Sequence, residues 1–163
     1  KSITREEFVT MIANAFNLSD DEAKAEFSDV DTGAWYYKFL ASAYAKGIIS
    51  GLDDEHFGVG SFITREQMCA ILYRTIEKCN LKTKQILSEN EFADDNEISE
   101  YAKKAVSYLY MLKVISGMGD NMFEPNGNVT RAMACKVIYE TLMNNEEASR
   151  EMITGGTGTT NNE

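Results

Sequence analysis

Three times in 163 residues an amphipathic helical pattern opens behind the same short phrase: Ile3-Thr4-Arg5-Glu6, Ile63-Thr64-Arg65-Glu66 and Val129-Thr130-Arg131-Ala132. The copies stand 60 and 66 residues apart, and their apolar positions keep step. Phe8, Met11, Ile12 and Phe16 correspond to Met68, Ile71, Leu72 and Ile76, and to Ala134, Val137, Ile138 and Leu142. An i, i+3, i+4, i+8 spacing is one face of a helix, and repeated units bury such faces against one another rather than alone. The repeat predicts an all-α fold with one shared core.

Each copy starts with Thr, whose hydroxyl can accept from an orphan amide of the first helical turn. Three residues on, Glu7 and Gln67 complete a capping box in the first two copies. The arginines are not explained by helix initiation. A cation at the first helical position faces the positive end of the macrodipole, at a cost of about 0.3–1 kcal/mol. The same disfavoured choice at Arg5, Arg65 and Arg131 predicts that each guanidinium meets an anion or carboxylate. That partner is either an acidic residue of a neighbouring repeat or a ligand.

A second motif precedes the later two helices. Phe27-Ser28-Asp29 leads to Trp35, then Gly47-Ile48-Ile49-Ser50-Gly51, then Phe57. Its counterpart runs Phe92-Ala93-Asp94, Tyr101, Lys113-Val114-Ile115-Ser116-Gly117 and Phe123. A helical stretch fills the interval from aromatic to glycine, as in Tyr101, Ala105, Tyr108, Leu109 and Leu112. Gly51 and Gly117 suit a sharp exit, through positive φ or a close backbone approach. Asp29 and Asp94 suit a cap on the turn ahead of the next helix, or a partner across the repeat boundary. Trp35 and Tyr101, on a helical pattern, read first as core aromatics, and Tyr36 and Tyr37 as the exposed pair.

Composition narrows the function. A formal net charge of −10 argues against nucleic acid or an acidic membrane surface as partner, and no run approaches a membrane span. Arginines at helix starts could still make small positive pockets on an acidic body. Cys69 and Cys135 occupy the repeat position of Val9, so both are expected to be small, buried and reduced; Cys79 is placed near a helix end. One histidine, His56, in the loop before Phe57, leaves little material for a metal site or a catalytic triad. An EF-hand reading from Asp29 fails, because the twelfth position is Leu40. Ser19–Glu22 and Lys82–Ser88 look like short connector helices, and 154–163 like a flexible Gly/Thr-rich tail.

The ordered set F-x-D, aromatic, apolar helix, G-I/V-I-S-G, phenylalanine loop and I-T-R-E resembles the S-layer homology motif. Residues 27–78 and 92–144 resemble two full motifs and 1–18 the second half of another, so a module over 1–153 is expected. Departures are Val59 where the last copy has Pro125, Ala132-Met133 in place of an acidic end, Tyr101 for tryptophan and Lys113 for glycine. The resemblance implies a pseudo-threefold helical spindle lacking its first half motif, with an N-terminal portion expected upstream. It implies no enzyme and no cofactor, but extracellular anchoring at the bacterial cell wall or S-layer. Its ligand would be a secondary cell wall polysaccharide carrying a pyruvate ketal, held in clefts between motifs. Carried over position by position, the contacts it implies are Arg65, Arg5 and Arg131, in that order, with Gly51, Gly117, Asp29, Trp35 and Asp94. The gap before Lys1 would be open or filled by a second copy of the chain. A helical interaction or self-assembly module with purely structural arginines is the alternative, and a wall hydrolase would need a catalytic constellation absent from these motifs.

Overall fold

The computed structural model describes residues 1–84 and 92–155, with side chains through Glu146. Its α-helices are α1 (Arg5–Ala15), α2 (Tyr37–Ala45), α3 (Arg65–Lys78), α4 (Glu100–Met111) and α5 (Arg131–Gly155), with a 3₁₀ turn at Asp95–Glu97. Among the described residues no helix is long and apolar enough to cross a membrane. The expected all-α class holds: among the described residues, β pairing is limited to three isolated bridges.

Those bridges form the centre of the molecule. The residue before each Thr-Arg pair is extended, and the three such segments close a ring. The Ile3 amide donates to Val129 O (3.0 Å), Ile63 to Ile3 O (3.2 Å) and Val129 to Ile63 O (3.0 Å). One step out the cycle repeats, with Arg5, Arg65 and Arg131 amides on Ser61, Gly127 and Lys1 carbonyls at 3.0, 2.9 and 3.2 Å. The helix starts thus satisfy each other's orphan amides, and Ile3, Ile63 and Val129 are buried at the joint. Thr4 and Thr64 cap α1 and α3 with complete capping boxes through Glu7 and Gln67. Asn17 and Asn80 end these helices with φ of 53° and 51°, a left-handed conformation that Asn tolerates.

Two outer helices cover two of the three Thr-Arg helices: α2 packs on α1 and α4 on α3. Each exits through a left-handed residue, Gly47 (φ 68°) or Lys113 (φ 59°), into a buried pair, Ile48-Ile49 or Val114-Ile115. Nothing in the described residues covers α5 in the same way. Arg5, Glu6 and Val9 of α1 and Arg65, Glu66 and Cys69 of α3 are buried, whereas Arg131, Ala132 and Cys135 of α5 are exposed. Cys135 is therefore not the buried counterpart of Val9: repeat equivalence predicts burial only where the covering helix exists. Cys69 is fully buried, Cys79 is half-buried and all three thiols are free.

Other expectations need correction. Trp35 is 63% exposed and Tyr101 52%, whereas Tyr36 is buried and Tyr37 half-buried. The inward stripe of α2 is Tyr36, Leu40 and Ala43, matched on α4 by Ala102, Val106 and Leu109, so Trp35 and Tyr101 lie one residue off that face. Ser19–Glu22 is not helical; the Asp20 carboxylate accepts from the Glu22 amide (3.0 Å), which closes a local turn instead. Lys82–Lys84 is likewise not helical, and the rest of that expected connector lies outside the described residues. Thr154 and Gly155, expected in the tail, are helical; no left-handed Asn stops α5 where Asn80 stops α3.

Candidate functional site

The arginine that helix physics could not explain is held by the next motif along the chain. The Arg5 Nε–H donates to Phe57 O (2.9 Å) and Nη2 to Ser50 O (3.3 Å), while its guanidinium carbon sits 4.7 Å from the Phe57 ring centroid. Arg65 repeats the arrangement with Phe123 O (2.7 Å), Ser116 O (2.9 Å) and the Phe123 ring at 4.7 Å. Both arginines are 4% exposed. Burial pushes each guanidinium's pKa down, although an arginine stays charged at any physiological pH. The expected acidic partner is thus replaced by carbonyl oxygens and an aromatic face. Each guanidinium holds down the hairpin that follows the outer helix.

The aspartates act on the same hairpins from inside. Asp29 accepts from the Phe57, Gly58 and Val59 amides at 2.8, 2.7 and 2.9 Å, and Asp94 from those of Phe123 and Glu124 at 2.7 Å each. Burial alone would raise both carboxyl pKa values, but these amide bonds outweigh it and hold them below the usual range. Neither carboxylate accepts a hydrogen bond as a helix cap, but each acts electrostatically on the arginine of the preceding copy, Asp29 on Arg5 and Asp94 on Arg65. Gly51 is required by close approach: a Cβ there would lie 2.2 Å from Asp53 O and 2.7 Å from His56 O. Gly117 is less crowded, with Met122 O at 3.0 Å. His56 is solvated and pairs with Asp53 (3.0 Å).

Between the first hairpin and α3 lies a cleft of about 470 Å³. Arg5, Ser50, Gly51 and Leu52 form one wall, and Glu66, Gln67, Ala70, Ile71 and Arg74 of α3 the other, with Tyr101 of α4 at the end. Glu66 is buried and accepts from the Ser99 amide (3.0 Å), Ser99 Oγ (2.9 Å) and the Tyr101 hydroxyl (2.8 Å). Burial, and then this bond to Glu66, raise the Tyr101 pKa, so its phenol is neutral. Arg5 and Arg74 against Glu66 leave the lining at a net charge of +1 on a chain of −10.

The site residues expected from the motifs do not converge. Arg5 and Gly51 line this cleft; Arg65 lines another, of about 90 Å³, beside Met68, Met118, Met133 and Lys136. Arg131 is exposed and pairs with Glu7 Oε1 (3.2 Å) rather than with hairpin carbonyls. Trp35 stacks edge-on against Tyr36 and lines neither cleft. Asp29, Asp94 and Gly117 lie outside both linings. Glu66, Gln67 and Arg74 were missed. Arg74 was detectable by alignment of the three copies, because its counterparts are Asn14 and Glu140.

Among the described residues no group of three or more His, Cys, Asp and Glu side chains could hold a metal ion. What fold and cleft define is a repeat-built helical binding module. The chain belongs to the S-layer homology domain family, whose model matches residues 26–69 and 91–134. It is 38% identical over 85% of its length to an amylopullulanase of Thermoanaerobacterium thermosulfurigenes, and 37% over 85% to exoglucanase XynX of Acetivibrio thermocellus. It is 33% identical over 86% of its length to the S-layer protein sap of Bacillus anthracis. The chain spans only 7%, 13% and 17% of those proteins. The S-layer homology domain is a non-catalytic surface-anchoring module, and its setting in S-layer and cell-surface proteins is extracellular.

Proposed function

We propose that this domain anchors a bacterial surface protein by taking secondary cell wall polysaccharide, pyruvylated, into the cleft bordered by Arg5. The observation that carries this reading is the cleft itself. It has room for a sugar residue or two, a net positive lining on an acidic protein, and an exposed aromatic ring at one end. A sugar offers a polar edge to Glu66, Gln67 and Arg74 and an apolar face to Tyr101 and Leu52. The Arg5 cleft takes precedence over the Arg65 cleft because the latter is a fifth of its volume and lined by methionines. Cosedimentation with bacterial wall sacculi tests the proposal. The domain is expected in the pellet, with less bound after mild acid has removed ketal-linked pyruvate. A domain that stays in the supernatant with intact sacculi would overturn it.

The face of α5 that no described residue covers favours a second activity, association with another helical element, which a second copy of this chain could supply. A concentration-dependent mass in sedimentation velocity, with Cys135 protected from thiol reagents only in the larger species, is the outcome that would support it.

A further inference from the structure

The dipeptide Asn126-Gly127 lines neither cleft but sits at a joint of the molecule. Asparagine is among the chemically labile side chains, and a glycine after it leaves the next amide nitrogen unshielded by a Cβ. Asn126 is exposed, so the pair invites spontaneous loss of ammonia. The structure opposes that at three consecutive points. The Gly127 amide, the nucleophile such a reaction needs, donates to Glu124 O (3.0 Å). On either side of Asn126, Pro125 O accepts from the Glu66 amide (3.0 Å) and Gly127 O from the Arg65 amide (2.9 Å). Both are orphan amides of the start of α3. A Cβ on Gly127 would lie 3.1 Å from Glu124 O and 3.3 Å from Arg65 Cδ, so the chain runs tight against that helix start. The first hairpin makes the corresponding joint without the labile pair. Gly60 and Ser61 stand at these positions, the Ser61 amide donates to Gly58 O (3.2 Å), and Ser61 O accepts from the Arg5 amide (3.0 Å). The repeat therefore does not require asparagine there.

We propose that Asn126-Gly127 is a latent deamidation site, held shut by the fold, and that opening of this joint converts Asn126 into an isoaspartate that permanently loosens the start of α3. Once the joint opens, the Gly127 amide nitrogen gives up its proton and adds to the side-chain carbonyl carbon of Asn126. The new C–N bond closes a succinimide ring, the bond to the side-chain nitrogen breaks, and ammonia leaves with the proton. Water then opens the ring at either carbonyl, giving aspartate or isoaspartate. In isoaspartate the main chain runs through the former side chain and gains one carbon, about 1.5 Å of chain. Pro125 O and Gly127 O are spaced for the consecutive amides of Glu66 and Arg65, and the lengthened chain no longer presents them at that spacing. The change involves no ligand. It acts on the joint between the second and third copies and, through the Arg65 main chain, on the clamp of that arginine over the Phe123 hairpin.

The test ages the full chain in mildly alkaline buffer, folded in one arm and unfolded in urea in the other. Peptide mapping by mass spectrometry, with an isoaspartyl methyltransferase to mark isoaspartate, follows Asn126. Conversion is expected in urea, and on the order of a thousandfold more slowly in the folded chain, because the population of the open joint sets that rate. Chain aged in urea is then refolded beside unaged chain taken through the same steps. The isoaspartate form is expected to melt at lower temperature and to exchange its Arg65 and Glu66 amides faster; its failure alone to refold would also support the proposal. Asn126→Asp, which adds the charge without the extra carbon, is expected to melt near wild type, and Asn126→Gln neither to age nor to lose stability. Conversion of the folded chain at the urea rate, or none at Asn126 in urea, would overturn the proposal. So would a refolded isoaspartate form that melts and exchanges like wild type, or equal destabilisation by Asn126→Asp.

Discussion

At the scale of single residues, the motif's most recognisable side chains are internal braces. Asp29 and Asp94 each tie a hairpin through two or three amides, and the amides outweigh burial in setting their pKa. The sign of the resulting pH dependence follows. A carboxyl whose folded pKa lies below its unfolded value of about 3.9 contributes stability that is fully present above that value. The contribution is lost as pH falls through the unfolded and then the folded pKa. Melting temperature is therefore expected to hold near neutral pH and drop below about pH 4. In Asp94→Asn, which keeps one acceptor oxygen for two amides, neutral-pH stability should fall by about 1–3 kcal/mol and the acid drop should shrink. Thermal melts of both proteins from pH 2.5 to 7 check this, and an acid drop of equal size in both would contradict it.

At the scale of helices, the same sequence position has opposite fates according to its neighbour. Val9, Cys69 and Cys135 are equivalent in α1, α3 and α5, yet among the described residues only the first two are covered, by α2 and α4. Burial pushes the Cys69 thiol up to about 12, so it is neither accessible nor ionised near neutral pH. Cys135 is expected to react with a thiol reagent at pH 8 within the reagent's ordinary time, Cys79 more slowly, and Cys69 only on unfolding. Mass spectrometry of labelled peptides gives the order directly. Protection of Cys135 in a verified monomer would mean that α5 is covered after all.

At the scale of the molecule, the three copies are joined by backbone rather than by side-chain complementarity alone. The ring through Ile3, Ile63 and Val129 links segments far apart in sequence, and each of its amides is buried. Breaking one bond of such a ring loosens two copies at once. In native-state hydrogen exchange these three amides are expected among the slowest of the chain, opening only with global unfolding. Fast exchange at Ile3 with slow exchange at Ile63 would show that the first copy detaches by itself. The same ring sets the clefts, because it fixes the angle at which each Thr-Arg helix faces its neighbour's hairpin.

Much of this was written in the chain. Apolar spacing after each Thr-Arg pair determined the helices, because a 3.6-residue period can bury only one face. Capping chemistry determined where α1 and α3 start, and the ordered landmarks determined the family. Three things were decided only in three dimensions. The arginines' partners are main-chain carbonyls from residues about 50 positions away, and a carbonyl has no letter in the sequence. The exposure of Trp35, Tyr101 and Cys135 depends on which helix lies opposite, a property of the neighbour rather than of the residue. The cleft gathers Arg5, Gly51, Glu66, Arg74 and Tyr101 from four elements because the central ring orients them. No local pattern in any one of those segments encodes their meeting.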